Sequence, residues 1–174
     1  MAFHAAAFIA TSLDGFIARP DGSIDWLTSH GAEVGDTGYA EFMEGVDTVV
    51  LGRNTYATVL GFDFWPYDGK SVDVLSTTLA TDTDKRITVH RDLDSLVQAL
   101  TGRDAKRIYV DGGRLVQTFL RARLLNELTI TVVPVLLGSG IPLFGDLDAD
   151  VVLTHNATRT LGAGFVQSDY TVHR

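Results

Sequence analysis

Short apolar runs broken by turn residues dominate the hydrophobic pattern of this chain. Phe3 to Ala10, Val46 to Leu51, Val72 to Leu75, Arg86 to His90 and Arg107 to Val110 each read as a strand bounded by glycine, aspartate or serine. Leu128 to Leu137 is a longer β-branched strand, and Val151 to Thr160 with Gly164 to His173 forms a closing pair of strands. Helical spacing appears in two places. Leu93, Leu96, Val97 and Leu100 share one face of a helix spanning Asp92 to Leu100, with acids at its start. Leu115, Val116, Phe119 and Leu120 share the face of a second helix that opens at a glycine pair. Strands alternate with helices for most of the length, and the chain then ends in strands alone. This order predicts an α/β domain with a mostly parallel sheet and an antiparallel strand at one edge.

The 174 residues are 45% hydrophobic, enough for one domain over residues 1–174 with a sizeable core. The net charge of -8 argues against nucleic acid or an anionic membrane surface as partner. An anionic ligand must therefore be held by local arginines and helix N-termini. There is no cysteine, which excludes disulfides and thiolate metal sites. The apolar start Met1–Ala10 lacks a basic segment and runs directly into Ser12-Leu13-Asp14-Gly15, so it reads as a core strand and not as a signal peptide. No apolar run reaches the roughly 20 residues of a membrane span. A cytoplasmic protein is expected.

Three stretches carry the candidate chemistry. Thr11-Ser12-Leu13-Asp14-Gly15-Phe16-Ile17-Ala18 follows the first strand. Gly52-Arg53-Asn54-Thr55-Tyr56 and Val110-Asp111-Gly112-Gly113-Arg114 each lie where a strand gives way to a helix. Glycine lets a ligand approach the backbone, a helix N-terminus offers free N–H groups, and arginine adds charge. Two such junctions in one small domain suit a ligand with phosphates at two places, such as a dinucleotide. For the Gly52 pentapeptide, an ordinary strand-to-helix turn accounts for the sequence equally well. The glycine pair Gly112-Gly113 favours a close approach, because paired glycines are a poor start for a helix.

The remaining features add less. Ser76-Thr77-Thr78 ends a strand where α/β sheets bind ligands. Gly138-Ser139-Gly140-Ile141-Pro142 lacks the third glycine of a dinucleotide fingerprint, and Pro142 opposes a helix there, so a structural turn is expected. Phe62, Phe64, Trp65 and Tyr67 are expected to pack on the domain's own core, with ligand stacking or a subunit interface as alternatives. Asp14, Asp36 and Asp111 lie near the junctions. The five histidines show no metal-ligand spacing, and neither a nucleophile elbow nor a P-loop is present.

In order along the chain, Ser12-Leu13-Asp14-Gly15-Phe16-Ile17-Ala18, Asp21-Gly22, Asp25-Trp26, Gly52-Arg53-Asn54-Thr55-Tyr56, Val110-Asp111-Gly112-Gly113, Asn126-Glu127-Leu128 and Pro134 to Gly140 with Leu143-Phe144 resemble the dihydrofolate reductase superfamily. The nearer branch is that of the C-terminal reductase domain of riboflavin biosynthesis enzymes and its small stand-alone relatives. The resemblance implies a three-layer α/β/α fold around a mixed, mostly parallel sheet, NADPH as cofactor, and a homodimer. It places the nicotinamide at backbone groups of Ala10 and Ile17. It assigns the adenosine-side phosphates to Arg53, Thr55, Ser76 and Thr77, and the pyrophosphate bridge to Gly112, Gly113, Arg114 and Leu115, with Gly52 also among the cofactor-binding residues. The riboflavin reductases usually carry glutamate where this chain has Asp111, and the Gly52 segment looks more like the stand-alone group. The substrate therefore stays open between a pterin and a ribityl-pyrimidine relative. Asp36 falls near the position of the acid that the folate enzymes carry, so Asp36 and Asp111 are the candidate proton donors. A nucleotide-binding protein of the same fold without turnover is the second reading.

Overall fold

Valine and isoleucine crowd both faces of a strand only where helices cover the sheet on both sides. Thr48–Gly52 (β3) and Arg107–Asp111 (β6) follow that rule: Val49, Val50, Leu51, Ile108 and Val110 are all buried. The computed structural model describes residues 3–173; Met1, Ala2 and Arg174, which the reading above includes in the domain, lie outside the described residues. The remaining strands of the main sheet are His4–Ser12 (β1), Ser71–Leu75 (β4), Thr88–His90 (β5), Leu125–Val133 (β7), Leu153–Thr160 (β9) and Val166–Val172 (β10). Their order is β5-β4-β3-β6-β1-β7-β10-β9. Strands β5 through β7 are parallel, and β10 and β9 each run antiparallel to the preceding neighbour. The expected single antiparallel edge strand is thus a pair of antiparallel pairings. All eight residues of β9 are exposed.

Helices cover the sheet on two sides and make it three-layered. Leu93–Gly102 (α4) and Gly113–Arg121 (α5) pack on one face through Leu96, Leu100, Leu115, Val116, Phe119 and Leu120, against Ala5, Ala7, Val50, Ile108 and Val110. The other face carries Tyr39–Glu44 (α2) and Arg53–Leu60 (α3), whose Met43, Tyr56 and Val59 meet Val49, Leu51, Val72 and Tyr109. A further short helix, Asp25–Thr28 (α1), seats Trp26 on Val133 and Phe165. The sequence pattern does not predict α1 or α2; four and six residues are too few to show a helical period. The aromatic loop divides. Tyr67 is buried and Trp65 half-buried, as expected, whereas Phe62 and Phe64 stack on each other in solvent.

Two polar clusters fix parts that hydrophobic burial leaves undetermined. Asp14 accepts from the Ser12 hydroxyl at 2.6 Å and from the N–H groups of Leu137 and Gly138 at 3.1 and 2.7 Å. These donors, the Ser12 hydroxyl first, hold its carboxyl below the usual value. The turn after β1 is thereby tied to the chain leaving β7. The same turn leads into Phe16–Ala18 (β2), which pairs with Ile141–Pro142 (β8), so the Gly138 to Pro142 segment is a structural turn braced against β2. At the opposite side of the sheet, Asp73 of β4 is fully buried, with His90 Nε2 at 2.6 Å and the Arg103 guanidinium also bonded to it.

Removing one partner of such a buried cluster strands the others without compensation. Asp73→Ala is expected to destabilise the fold by about 3–5 kcal/mol, read from urea unfolding. A loss below about 1 kcal/mol, the range of exposed pairs, would show that the cluster is solvated.

Candidate functional site

The C-terminal ends of β4, β3, β6 and β1 lie side by side. At about 4.8 Å per strand, this edge is roughly 14 Å long from β4 to β1. Nearly every residue singled out in the sequence falls along it.

Two helices start at its centre without caps. Gly52 precedes α3 and Gly112 precedes α5; neither has a side chain to accept from the first turn, and neither first turn contains an acid. The helix α4 differs, since Asp92 caps it by accepting from the Ser95 N–H at 2.7 Å. An uncapped N-terminus leaves N–H groups unpaired and a positive dipole end facing outward. The two junctions also touch. Gly112 has φ of +107°, which side-chain-bearing residues rarely adopt, and a Cβ on it would strike the Thr55 Oγ1. Next to it, a Cβ on Gly113 would lie 2.8 Å from the Ile17 Cδ1 and 3.0 Å from the Pro142 carbonyl. All three sequence stretches therefore meet at the glycine pair.

Around this point the other candidates take distinct positions. Arg53 is exposed and donates from Nη1 to the Thr78 Oγ1 at 3.0 Å, bridging the β3 and β4 loops. Thr77 is exposed beside it, whereas Ser76 is buried and its hydroxyl accepts from the N–H groups of Thr78 and Leu79. Ser76 therefore shapes the loop, and Thr77 and Thr78 face outward. Arg114 is exposed on the first turn of α5. Leu115 is buried in the core, so only its backbone is available to a ligand.

Ala10 belongs to the next part of the edge. It lines an open cavity of about 510 Å³ together with Phe8 of β1, Tyr39 of α2 and Thr131 of β7. Leu27, Val34 and Phe165 supply further apolar wall, and Thr28, Gly35 and Thr37 complete it. Phe8 and Tyr39 meet edge to face with centroids 5.5 Å apart. Ala10 pairs with Thr131 in register, which sets the Thr131 side chain beside it.

The candidate acids separate here. Asp111 ends β6, two residues beyond Tyr109 and directly before the glycine pair. It keeps a little exposed surface, yet its carboxyl is closely surrounded, and that burial pushes its pKa up to about 6, with the Tyr109 hydroxyl and the Gly112 N–H opposing the shift. Burial, and then the negative charge of Asp111, push the Tyr39 hydroxyl up to about 12, which puts Asp111 electrostatically within reach of the cavity wall. Asp36, by contrast, is exposed. Its carboxyl accepts from the Gly38 N–H at 2.8 Å, at the approach to α2, and the neighbours Gly35 and Thr37 line the cavity while Asp36 stays at the rim. Tyr39 and Thr131 were not marked in the sequence, whereas Thr78 was read there as part of the hydroxyl cluster that ends β4. A threonine at an inward position among the apolar residues of β7 is the only signal that pointed to either.

This arrangement sets two uncapped helix N-termini at the middle of a parallel sheet beside an apolar cavity. The chain belongs to the family of the RibD C-terminal domain, whose model matches residues 4–167. Protein YwjB of Bacillus subtilis is 39% identical over 158 residues, covering 89% of this chain and 90% of its own. Protein YyaP of the same organism is 30% identical over 181 residues. Among solved structures, a putative riboflavin biosynthesis protein from Shewanella has 37% identity and a TM-score of 0.89, covering 99% of this chain and 100% of that one. The bifunctional deaminase and 5-amino-6-(5-phosphoribosylamino)uracil reductase of Thermotoga maritima has 15% identity and a TM-score of 0.73 over 57% of its length, a likeness of fold.

Asp111 gives the site a pH signature. Its folded pKa of about 6 lies above its ordinary value of 3.8, so the folded state binds the proton more tightly. Stability from this group is present below pH 4 and is lost as the pH rises through 6. Asp111→Asn cannot ionise. Relative to wild type it should gain at most about 3 kcal/mol between pH 4 and pH 8, less where solvent screens the carboxylate. Urea unfolding at both pH values measures this, and parallel pH slopes would mean that Asp111 titrates normally.

Proposed function

We propose that the protein is an NADPH-dependent reductase of a small heterocycle with a C=N or carbonyl group. The convergence of two uncapped helix N-termini on Gly112, with Arg53 alongside, is the observation that carries this reading. The residues present fit the cofactor: Gly112 leaves a cradle that a Cβ would fill, the first turns of α3 and α5 offer N–H groups, and Arg53 with Thr77 and Thr78 stands where a 2′-phosphate needs a cation and donors. Ala10 lines the cavity at the β1 end of the edge, and Ile17 packs over Gly113 beside it.

NADPH, when bound, supplies a hydride. The protein's own part is position, exclusion of water and a proton. Phe8, Tyr39 and Phe165 wall the cavity with rings, which limits water around a bound heterocycle. The carboxyl of Asp111, its pKa pushed up to about 6 by burial, can take up and release a proton close to neutral pH and is the group we assign to supply it, directly or through a water. Asp36 shapes the approach to α2 instead. The protein is further proposed to work as a homodimer, for which the exposed Phe62 and Phe64 pair offers an apolar contact.

The reading is tested by NADPH oxidation with a panel of pterins and aminopyrimidines. Turnover with one of them is expected; NADPH binding without oxidation of any would place the protein with the non-catalytic nucleotide binders. Arg53 separates the two cofactors. A charge-assisted bond contributes about 1.5–3 kcal/mol, so Arg53→Ala should weaken NADPH roughly ten- to a hundredfold and leave NADH nearly unchanged. Isothermal titration of both cofactors decides it, and an equal loss for both would put Arg53 on the shared pyrophosphate.

A further inference from the structure

Every residue that lines the cavity beside Ala10 is uncharged, yet a cation stands at its rim. Arg159 of β9 is exposed and donates from Nη2 to the carbonyl of Thr37, a lining residue, at 2.6 Å. From Nε it donates to the Gln167 Oε1 at 2.8 Å. Both acceptors are neutral, and Arg159 forms no ion pair among the described residues. The carboxyl of Asp36, just before Thr37, accepts from the Gly38 N–H.

The guanidinium is held from the interior. Gln167 is only 1% exposed, and both ends of its amide are engaged. Its Oε1 takes the Arg159 Nε–H, while Nε2 donates to the Thr131 hydroxyl at 2.9 Å and to the Thr37 carbonyl at 3.1 Å. Thr131 and Thr37 both line the cavity, so a single amide separates its wall from the cation. Gly38 makes room on the other side, since a Cβ there would stand 2.6 Å from the Arg159 Nη2. The Thr37 carbonyl already accepts from Gln167, so satisfying it does not require an arginine. The two bonds made by Arg159 occupy Nε and one hydrogen of Nη2; the Nη1 group and the second Nη2 hydrogen have no partner among the described residues. That edge is a planar fork matching two oxygens of a carboxylate or a phosphate. A fork already fixed in place loses little freedom when an anion binds.

Resting on the reductase reading above, we infer that the substrate is a heterocycle carrying an anionic arm, a carboxylate or a phosphate, and that Arg159 binds this arm at the rim while the ring lies in the cavity. The division suits the chemistry of each part. The uncharged walls take the ring, and the arm stays at the open mouth, where it meets a cation and is not desolvated against apolar surface. With a net charge of -8 the protein has no general positive field to do this, so the selectivity rests on one side chain. Arg159 touches no reacting atom in this arrangement; it determines which heterocycle is accepted.

Two pairs of compounds provide the test, each the same ring with and without an anion: pterin and pterin-6-carboxylate, and a ribitylaminouracil and its 5′-phosphate. Each is titrated into the protein with and without NADP⁺. Failure to bind NADP⁺ would sink the reductase reading alone, because the preference within a pair is still read on the free protein. In at least one pair the anionic member should bind roughly tenfold more tightly, or better, than its neutral partner. A preference within the pterin pair places the anion beside the ring, and one within the uracil pair places it at the end of a chain. Arg159→Ala should abolish the preference and leave the neutral ring's affinity unchanged, with unchanged NADP⁺ affinity certifying the fold. Arg159→Lys, which keeps the charge without the fork, should retain part of it. Equal binding within both pairs to wild type overturns the inference, as does failure of every ring to bind. An Arg159→Ala variant that loses both members of a pair equally also overturns it, and would make Arg159 a brace for Thr37.

Discussion

Everything at the C-terminal edge of the parallel strands depends on one contact, that of Thr55 with Gly112. The strands β3 and β6 are neighbours, about 4.8 Å apart, and each breaks into a helix at the same level of the sheet. The helix α3 leaves toward one face and α5 toward the other. Their first turns must therefore separate from almost the same point. The chain can do this because Gly112 takes a positive φ and presents no Cβ to Thr55. Given that contact, two sets of unpaired N–H groups face one small volume. The packing of Ile17 on Gly113 then brings the turn after β1 to the same place, and Asp14 holds that turn to the exit of β7.

How much of this was legible in the sequence depended on how local its cause was. Gly52-Arg53 and Gly112-Gly113 were readable because a glycine at a helix start runs against helix propensity and so signals a close approach. The parallel core strands were readable for a similar reason, as β-branched runs bounded by turns. The cavity was not. Phe8, Tyr39, Thr131 and Phe165 are far apart in the chain, and only the order β6-β1-β7-β10 brings them together. Asp73, His90 and Arg103 have no mutual spacing that marks a cluster, because β4, β5 and the end of α4 meet only in the folded sheet. Proximity in sequence misled for Ser76, whose hydroxyl serves its own loop while Thr78 meets Arg53.

The electrostatics follow a division of labour. With a net charge of -8, the protein has no general positive field to gather an anion. The positive potential at the edge is instead assembled from peptide dipoles and an exposed arginine, so it is confined to a few ångströms. A short distance along the same edge, the surroundings raise the pKa of Asp111 by burial and leave the cavity walls uncharged. Neighbouring volumes of opposite character are possible because the first is built from backbone and the second from side chains of different strands.

The central place of β1 also bears on how the chain reaches its fold. It is the first strand made, yet both of its neighbours, β6 and β7, lie beyond residue 106. During synthesis β1 waits with both edges unpaired until most of the domain has emerged, and its long-range pairings make for slow folding. A strand of valine and isoleucine left in that condition invites association with other chains. The N-terminal half of β1 is instead Ala5-Ala6-Ala7, which is fully buried at the end but has a weak inclination to form strands alone. The alanines let the helices pack closely once the sheet exists, and they keep the waiting strand quiet until then.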